Sequence, residues 1–177
     1  MTQGMFITFE GPNGSGKSTQ ARRCAEWLQG HSEIDQKVVL TREPGGTPGA
    51  EEIRNLVLQG DPDRWSRDTE ILLFKAARRD HVEKLIQPVI NSGGVVICDR
   101  FCDSTIVLQT LNDHSGEVRN KIDLLHAEMI GIDPDLTIII DVSLQTARDR
   151  MYARGDADKD RMEEIEGMLE HEHKTLM

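Results

Sequence analysis

The sequence predicts an α/β fold, a parallel β-sheet with helices on both faces, and three observations carry that expectation. Short β-branched runs recur at residues 6–9, 37–41, 95–98 and 136–142, as buried parallel strands require. Stretches with apolar residues at helical spacing separate them, giving the strand–helix alternation of such a sheet. The first run leads straight into a glycine-rich loop, Gly11 to Thr19, with a helical pattern behind it.

The first strand delivers the chain to Gly11-Pro12-Asn13-Gly14-Ser15-Gly16-Lys17-Ser18-Thr19, which fits G-x-x-x-x-G-K-[ST] in the strand-before, helix-after context that a true phosphate loop needs. Glycines let the backbone fold tightly enough for amide N–H groups to face phosphate oxygens, and the helix N-terminus adds positive potential. Lys17, expected in a solvated loop, suits the β- and γ-phosphates of a nucleotide such as ATP, and the Ser18 hydroxyl suits Mg²⁺. The expected fold is therefore a P-loop NTPase fold.

Ala21, Cys24, Ala25 and Leu28 share one face of the following helix. After the second strand, Thr47-Pro48 reads as an N-cap and a first-turn proline opening a helix to Leu58, with Ile53, Leu56 and Val57 facing inward. Val82, Leu85, Ile86, Val89 and Ile90 form another apolar face, despite Pro88 near its end. The third strand closes in Asp99-Arg100, which places an acid and a base at the carboxyl edge of the sheet beside the glycine loop. Asp99 suits the waters of Mg²⁺, and the planar fork of Arg100 suits an acceptor phosphate.

Asn120-Lys121-Ile122-Asp123 matches the N-K-x-D sequence of guanine readers, but Val118, Ile122, Leu125 and Met129 run through it at helical spacing. It reads as the polar side of a helix rather than a base-reading loop. From 152 to 172 the chain is highly charged and almost free of large apolar residues, the composition of a mobile flap.

One domain is expected from 177 residues, spanning 1–177 with a lid segment at about 152–165. A formal net charge of −10 argues against sequence-independent binding to nucleic acid or to an anionic membrane. The first four residues carry no Lys or Arg, so they do not read as a signal peptide, and a cytoplasmic location is expected. Cys24, Cys98 and Cys102 are too few and too irregularly spaced for a disulfide framework or a zinc site.

Five blocks in order, "ITFEGPNGSGKST", "TREPGGTPGAEEIR", "TEILLFKAARRDH", "VVICDRFCDST" and "PDLTIIIDV", resemble bacterial thymidylate kinases, the dTMP kinases among P-loop nucleoside monophosphate kinases. The resemblance implies a transferase that moves the γ-phosphoryl group of ATP to dTMP, giving dTDP for dTTP synthesis, with Mg²⁺. It implies that Phe74 and Arg78, four apart on one helix face, stack on the thymine ring and hydrogen-bond its O4. It implies that Glu43 and Pro44 wall the pocket, that Arg54 and Arg100 clamp the acceptor phosphate, and that Ser104, Thr105 and Gln109 contact the nucleoside. The segment after residue 150 resembles the family's lid. Since the phosphate loop lacks an arginine, Arg154 or Arg161 must then reach over the donor phosphates. A homodimer is implied as well.

Two positions depart from the family pattern. Asn13 stands where an acid usually meets the sugar 3′-hydroxyl, and Leu108 where an aromatic ring usually lies beneath the deoxyribose. Both leave room for a kinase of another deoxynucleoside monophosphate. Family chains also commonly carry another strand and helix beyond the lid, and this sequence ends at Met177. A nucleotide-binding protein without turnover is a further alternative, against which Lys17, Ser18, Asp99 and Arg100 all speak.

Overall fold

The computed structural model describes residues 4–31, 36–61, 64–111 and 113–154. Four strands, β1 (Met5–Glu10), β2 (Val38–Arg42), β3 (Val95–Asp99) and β4 (Leu136–Ile139), form one sheet in the order β2-β3-β1-β4. All three pairings are parallel, with Phe9 opposite Asp99 and Thr8 opposite Thr137. The connection out of β1 runs to one side of the sheet and the connection out of β3 to the other, which opens a crevice at their carboxyl ends.

Alternation along the central strands explains why both faces are covered. Ile7, Phe9, Val95 and Ile97 point to one side and pack on Ala21 and Ala25 of α1 (Lys17–Gly30). Phe6, Val96 and Cys98 point to the other and pack on Val82, Ile86, Val89 and Phe101. Those partners come mainly from a long helical run, α3 (Arg67–His81), a π turn at Val82–Ile86 and α4 (Gln87–Asn91). In the π turn Gln87 N–H reaches back to the Val82 carbonyl. The widened turn immediately before Pro88 accommodates a residue that has no N–H to give and whose ring would crowd a regular helix.

The helix opened by Thr47-Pro48 is α2 (Pro48–Leu58), capped as expected by the Thr47 hydroxyl accepting from Ala50 N–H. Leu56, however, is 46% exposed rather than inward-facing, because the α2 flank that meets α3 is carried by Ala50 and its neighbours. The N-K-x-D residues lie on α6 (Glu117–Leu125), where Ile122 is buried and the three polar residues are exposed. Its apolar face also shifts. A second π turn, His126–Ile130, rotates the helix so that Ile130 is buried and Met129 is exposed. Strand β4 stops at Ile139 instead of reaching residue 142, since its partner β1 ends at Glu10 and bends into the glycine loop. The remaining helices are α5 (Cys102–Gln109) and α7 (Leu144–Arg154).

Candidate active site

The glycine loop takes its shape from three residues with left-handed backbone, Gly11, Gly14 and Gly16, at φ of 143°, 81° and 100°. A side chain on Gly14 would run into the Ala147 carbonyl of α7, so only glycine lets the two segments touch. Arg150 of α7 donates to the carbonyls of Ser15 at 2.9 Å and Gly14 at 3.4 Å. It thereby engages two oxygens that would otherwise repel an anion in the loop. Lys17 is the first residue of α1 and is buried, 6% exposed, with Nζ 3.3 Å from the Pro12 carbonyl. The expectation of a solvated lysine is corrected here: its stem packs under the loop, as the tight backbone wrap demands.

Ser18 and Thr19 open onto a cavity of about 480 Å³ shared with Asp99 and Arg42. Asp99 Oδ1 is buried without a hydrogen-bond partner among the described residues. An unengaged carboxylate oxygen beside a serine hydroxyl fits a hard cation and its water shell.

Arg100 has φ of 72°, the left-handed region that costs a non-glycine residue energy and persists where its surroundings fix it. Here the fixing groups are visible. Its N–H donates to the Phe9 carbonyl at 3.0 Å, Nη1 to Ser104 Oγ at 2.6 Å and Nη2 to Asn13 Oδ1 at 2.9 Å. The Ser104 hydroxyl in turn donates a hydrogen bond to Glu10 Oε2 at 2.5 Å, and Phe101 N–H donates to Glu10 Oε1 at 2.7 Å. Glu10 is fully buried, and burial pushes its carboxyl up against the opposing pull of those two bonds. Glu10 is a site residue that no sequence motif marks. Its signal was an acid closing β1 one strand away from the acid closing β3.

Beside Arg100 lies a narrow cavity of about 30 Å³. Glu43 and Pro44 wall it from the loop after β2, joined by a cis peptide bond, Phe74 and Arg78 from α3, and Ser104, Thr105 and Leu108 from α5. Arg78 is 3% exposed. Its Nε donates to Glu43 Oε2 at 2.6 Å, and its Nη2 to the Phe101 carbonyl at 2.9 Å and Thr105 Oγ1 at 2.8 Å. Its Nη1 is buried without a hydrogen-bond partner among the described residues. Burial alone would raise the Glu43 carboxyl, but the Arg78 guanidinium and the bond from His81 outweigh it and hold the group below its ordinary value.

Arg54 of α2 donates Nη1 to the Pro44 carbonyl at 2.7 Å, behind the cavity wall rather than among the residues that line it. Gln109 is not among the residues lining the cavity; it is buried on the seam between α3 and α5 and donates to Glu70 Oε2 at 3.1 Å. Arg154 ends α7, while Arg161 and the rest of the expected lid lie outside the described residues. The three cysteines are free thiols, as expected.

A glycine loop at the switch point of a parallel sheet, with a polar cavity beside it, defines an α/β protein of the P-loop NTPase type. The family model for thymidylate kinase matches residues 9–176. Thymidylate kinase of Ruegeria pomeroyi is 60% identical over 153 residues, covering 85% of this chain and 69% of its own length. That of Dinoroseobacter shibae is 55% identical over 166 residues, covering 93% and 77%. The crystal structure of thymidylate kinase from Ehrlichia chaffeensis superposes with a TM-score of 0.71 at 41% identity, covering 87% of each chain. The chain belongs to the thymidylate kinase family.

Proposed function

We propose that this protein transfers the γ-phosphoryl group of ATP to dTMP, giving dTDP for dTTP synthesis. The observation that carries the acceptor assignment is Arg78 Nη1, a buried donor without a partner on a residue that lines a cavity also bounded by Phe74. A pyrimidine with a carbonyl at position 4 would satisfy that donor while its ring lies against the aromatic face. Cytosine offers an amino group at the same place and would leave the donor unsatisfied.

On this reading Lys17, the loop amides from Gly11 to Thr19 and the α1 N-terminus hold the donor phosphates. Ser18 and Asp99 would hold Mg²⁺, Asp99 through water, and the ion would supply charge neutralisation on the phosphate oxygens. Arg100 and Arg54 hold the acceptor phosphate, with Arg100 fixed by Ser104 and Asn13. Arg154 or Arg161 completes the charge clamp. No side chain need act as a strong base, because rate in such a site comes from position and electrostatics. Glu43, Pro44 and Thr105 shape the nucleoside site around these groups, and Gln109 stands behind it on the seam of α3 and α5.

A second reading, a kinase with relaxed sugar choice, is favoured by two observations. Leu108 lines the cavity with a branched aliphatic chain, and the Asn13 oxygen is engaged by Arg100. Turnover measured with dTMP, dUMP, UMP and dCMP separates the readings.

We also propose a homodimer and a cytoplasmic location. Leu72 of α3 and Leu124 of α6 are 56% and 63% exposed and flank a shallow apolar groove with Ile71 and Leu125, a surface that a second copy would cover. Among the described residues no helix is long and apolar enough to cross a membrane.

A further inference from the structure

Arg78 is held by a buried chain of groups that begins well outside its cavity. His81, one turn further along α3, is fully buried. Its Nδ1 lies 3.0 Å from Glu43 Oε1 and its Nε2 lies 2.8 Å from Thr41 Oγ1. Glu43 is held ionised by its neighbours and so can only accept. His81 Nδ1 therefore carries a proton and donates it. The ring lies so close over Gly46, whose φ is 92°, that any side chain there would strike both His81 and Thr41.

We infer that His81 is a positioning residue for base recognition, setting the plane of the Glu43 carboxylate and through it the direction of Arg78 Nη1. This inference rests on the assignment of Arg78 to the base. The physical reason is competition for donors. A carboxylate beside a guanidinium takes two of its N–H groups when it can, yet here Glu43 takes only Nε, because its other oxygen is engaged by His81. Without that engagement Glu43 Oε1 is a buried acceptor in need of a partner, which costs free energy until one is found. The nearest donors belong to Arg78, and turning toward them draws the fork out of its alignment on Thr105 and the Phe101 carbonyl. Thr41 completes the arrangement from β2 by holding the far nitrogen of the ring.

The role predicts a split between substrates, since His81 acts on Arg78 through Glu43 and does not itself line the cavity of Ser18 and Asp99, which it meets only from behind Thr41 and Gly46. His81→Leu is expected to raise the KM for dTMP at least tenfold while leaving the KM for ATP within twofold. The ratio of kcat/KM for dTMP over dCMP should fall at least tenfold in the same variant. His81→Asn keeps an N–H near the Nδ1 position and should recover most of both losses. Thr41→Val, a smaller change, should shift the dTMP constant in the same direction, and decides the matter if His81→Leu does not fold. Equal effects on the two substrates, or no effect on either, would overturn the inference, as would His81→Asn behaving like His81→Leu. Arg78→Ala measured alongside separates the two layers. If it raises the KM for dTMP alone while His81→Leu does not, only the positioning role fails; if it affects both substrates equally, the base assignment fails with it.

Discussion

Arg78 Nε lies 2.6 Å from Glu43 Oε2, with the two side chains 3% and 4% exposed. The pair joins the long helix to the loop after β2 at the wall of the acceptor cavity. A buried pair is not strong evidence of stability in itself, but removing one partner strands the other charge, typically at about 3–5 kcal/mol. Glu43→Ala is therefore expected to lower unfolding stability by about that amount, measured by chemical denaturation. A loss below about 1 kcal/mol, the range of exposed pairs, would mean that the pair is solvated.

Lys75 gives the opposite expectation. It sits on α3 at 3% exposure, and among the described residues its Nζ has no hydrogen-bond partner. Burial, and then the Arg78 guanidinium, bring its pKa down from 10.5 to about 8. A native pKa below the unfolded value means that the charged form is penalised, fully so below pH 8, and that the penalty is relieved as pH rises toward 10.5. The displacement is worth about 3 kcal/mol. Lys75→Met should stabilise the protein by roughly this amount at pH 7, and the gain should shrink between pH 8 and pH 10. A variant no more stable than the parent at pH 7 would contradict the assignment.

Leu108 concerns the sugar. An apolar floor rejects an added hydroxyl by only about 100-fold even when well shaped, and a branched aliphatic chain fills the space beneath a ring less completely than a flat one. Asn13 accepts as a neutral amide, about half as strongly as an acid would. The ratio of kcat/KM for dUMP over UMP is expected to be low and to rise in Leu108→Tyr. An unchanged ratio removes the argument.

The apolar groove of Leu72 and Leu124 leads to a dimer mass in light scattering at micromolar concentration. Leu124→Glu should shift it toward the monomer. A monomer for the parent chain would leave that surface unassigned.

Much of this was legible in the sequence, for identifiable reasons. The phosphate loop is read by glycine spacing because φ values of 81° and 100° at Gly14 and Gly16 admit few other residues. Strands β1 and β3 announce themselves because both faces are buried, and the Thr47 cap because its chemistry is local. What escaped was set by tertiary contact. The second π turn moved Met129 out and Ile130 in through a change of pitch that no residue in it specifies. Glu10, His81 and Arg150 are ordinary polar residues in sequence, and their importance arises from partners 94, 38 and 135 positions away. Lys75 was concealed by its charge, since a lysine on a helix is normally exposed.

The central claim, phosphoryl transfer from ATP to a thymine nucleotide, is tested most directly by ADP release in the presence of Mg²⁺ and each of dTMP, dUMP, UMP and dCMP. The account predicts turnover with dTMP well above dCMP. It also predicts a loss worth about 3 kcal/mol or more of barrier in a folded Lys17→Ala variant, since that ammonium serves the phosphates. Near-normal turnover by Lys17→Ala, or dCMP as the best acceptor of the four, would contradict it.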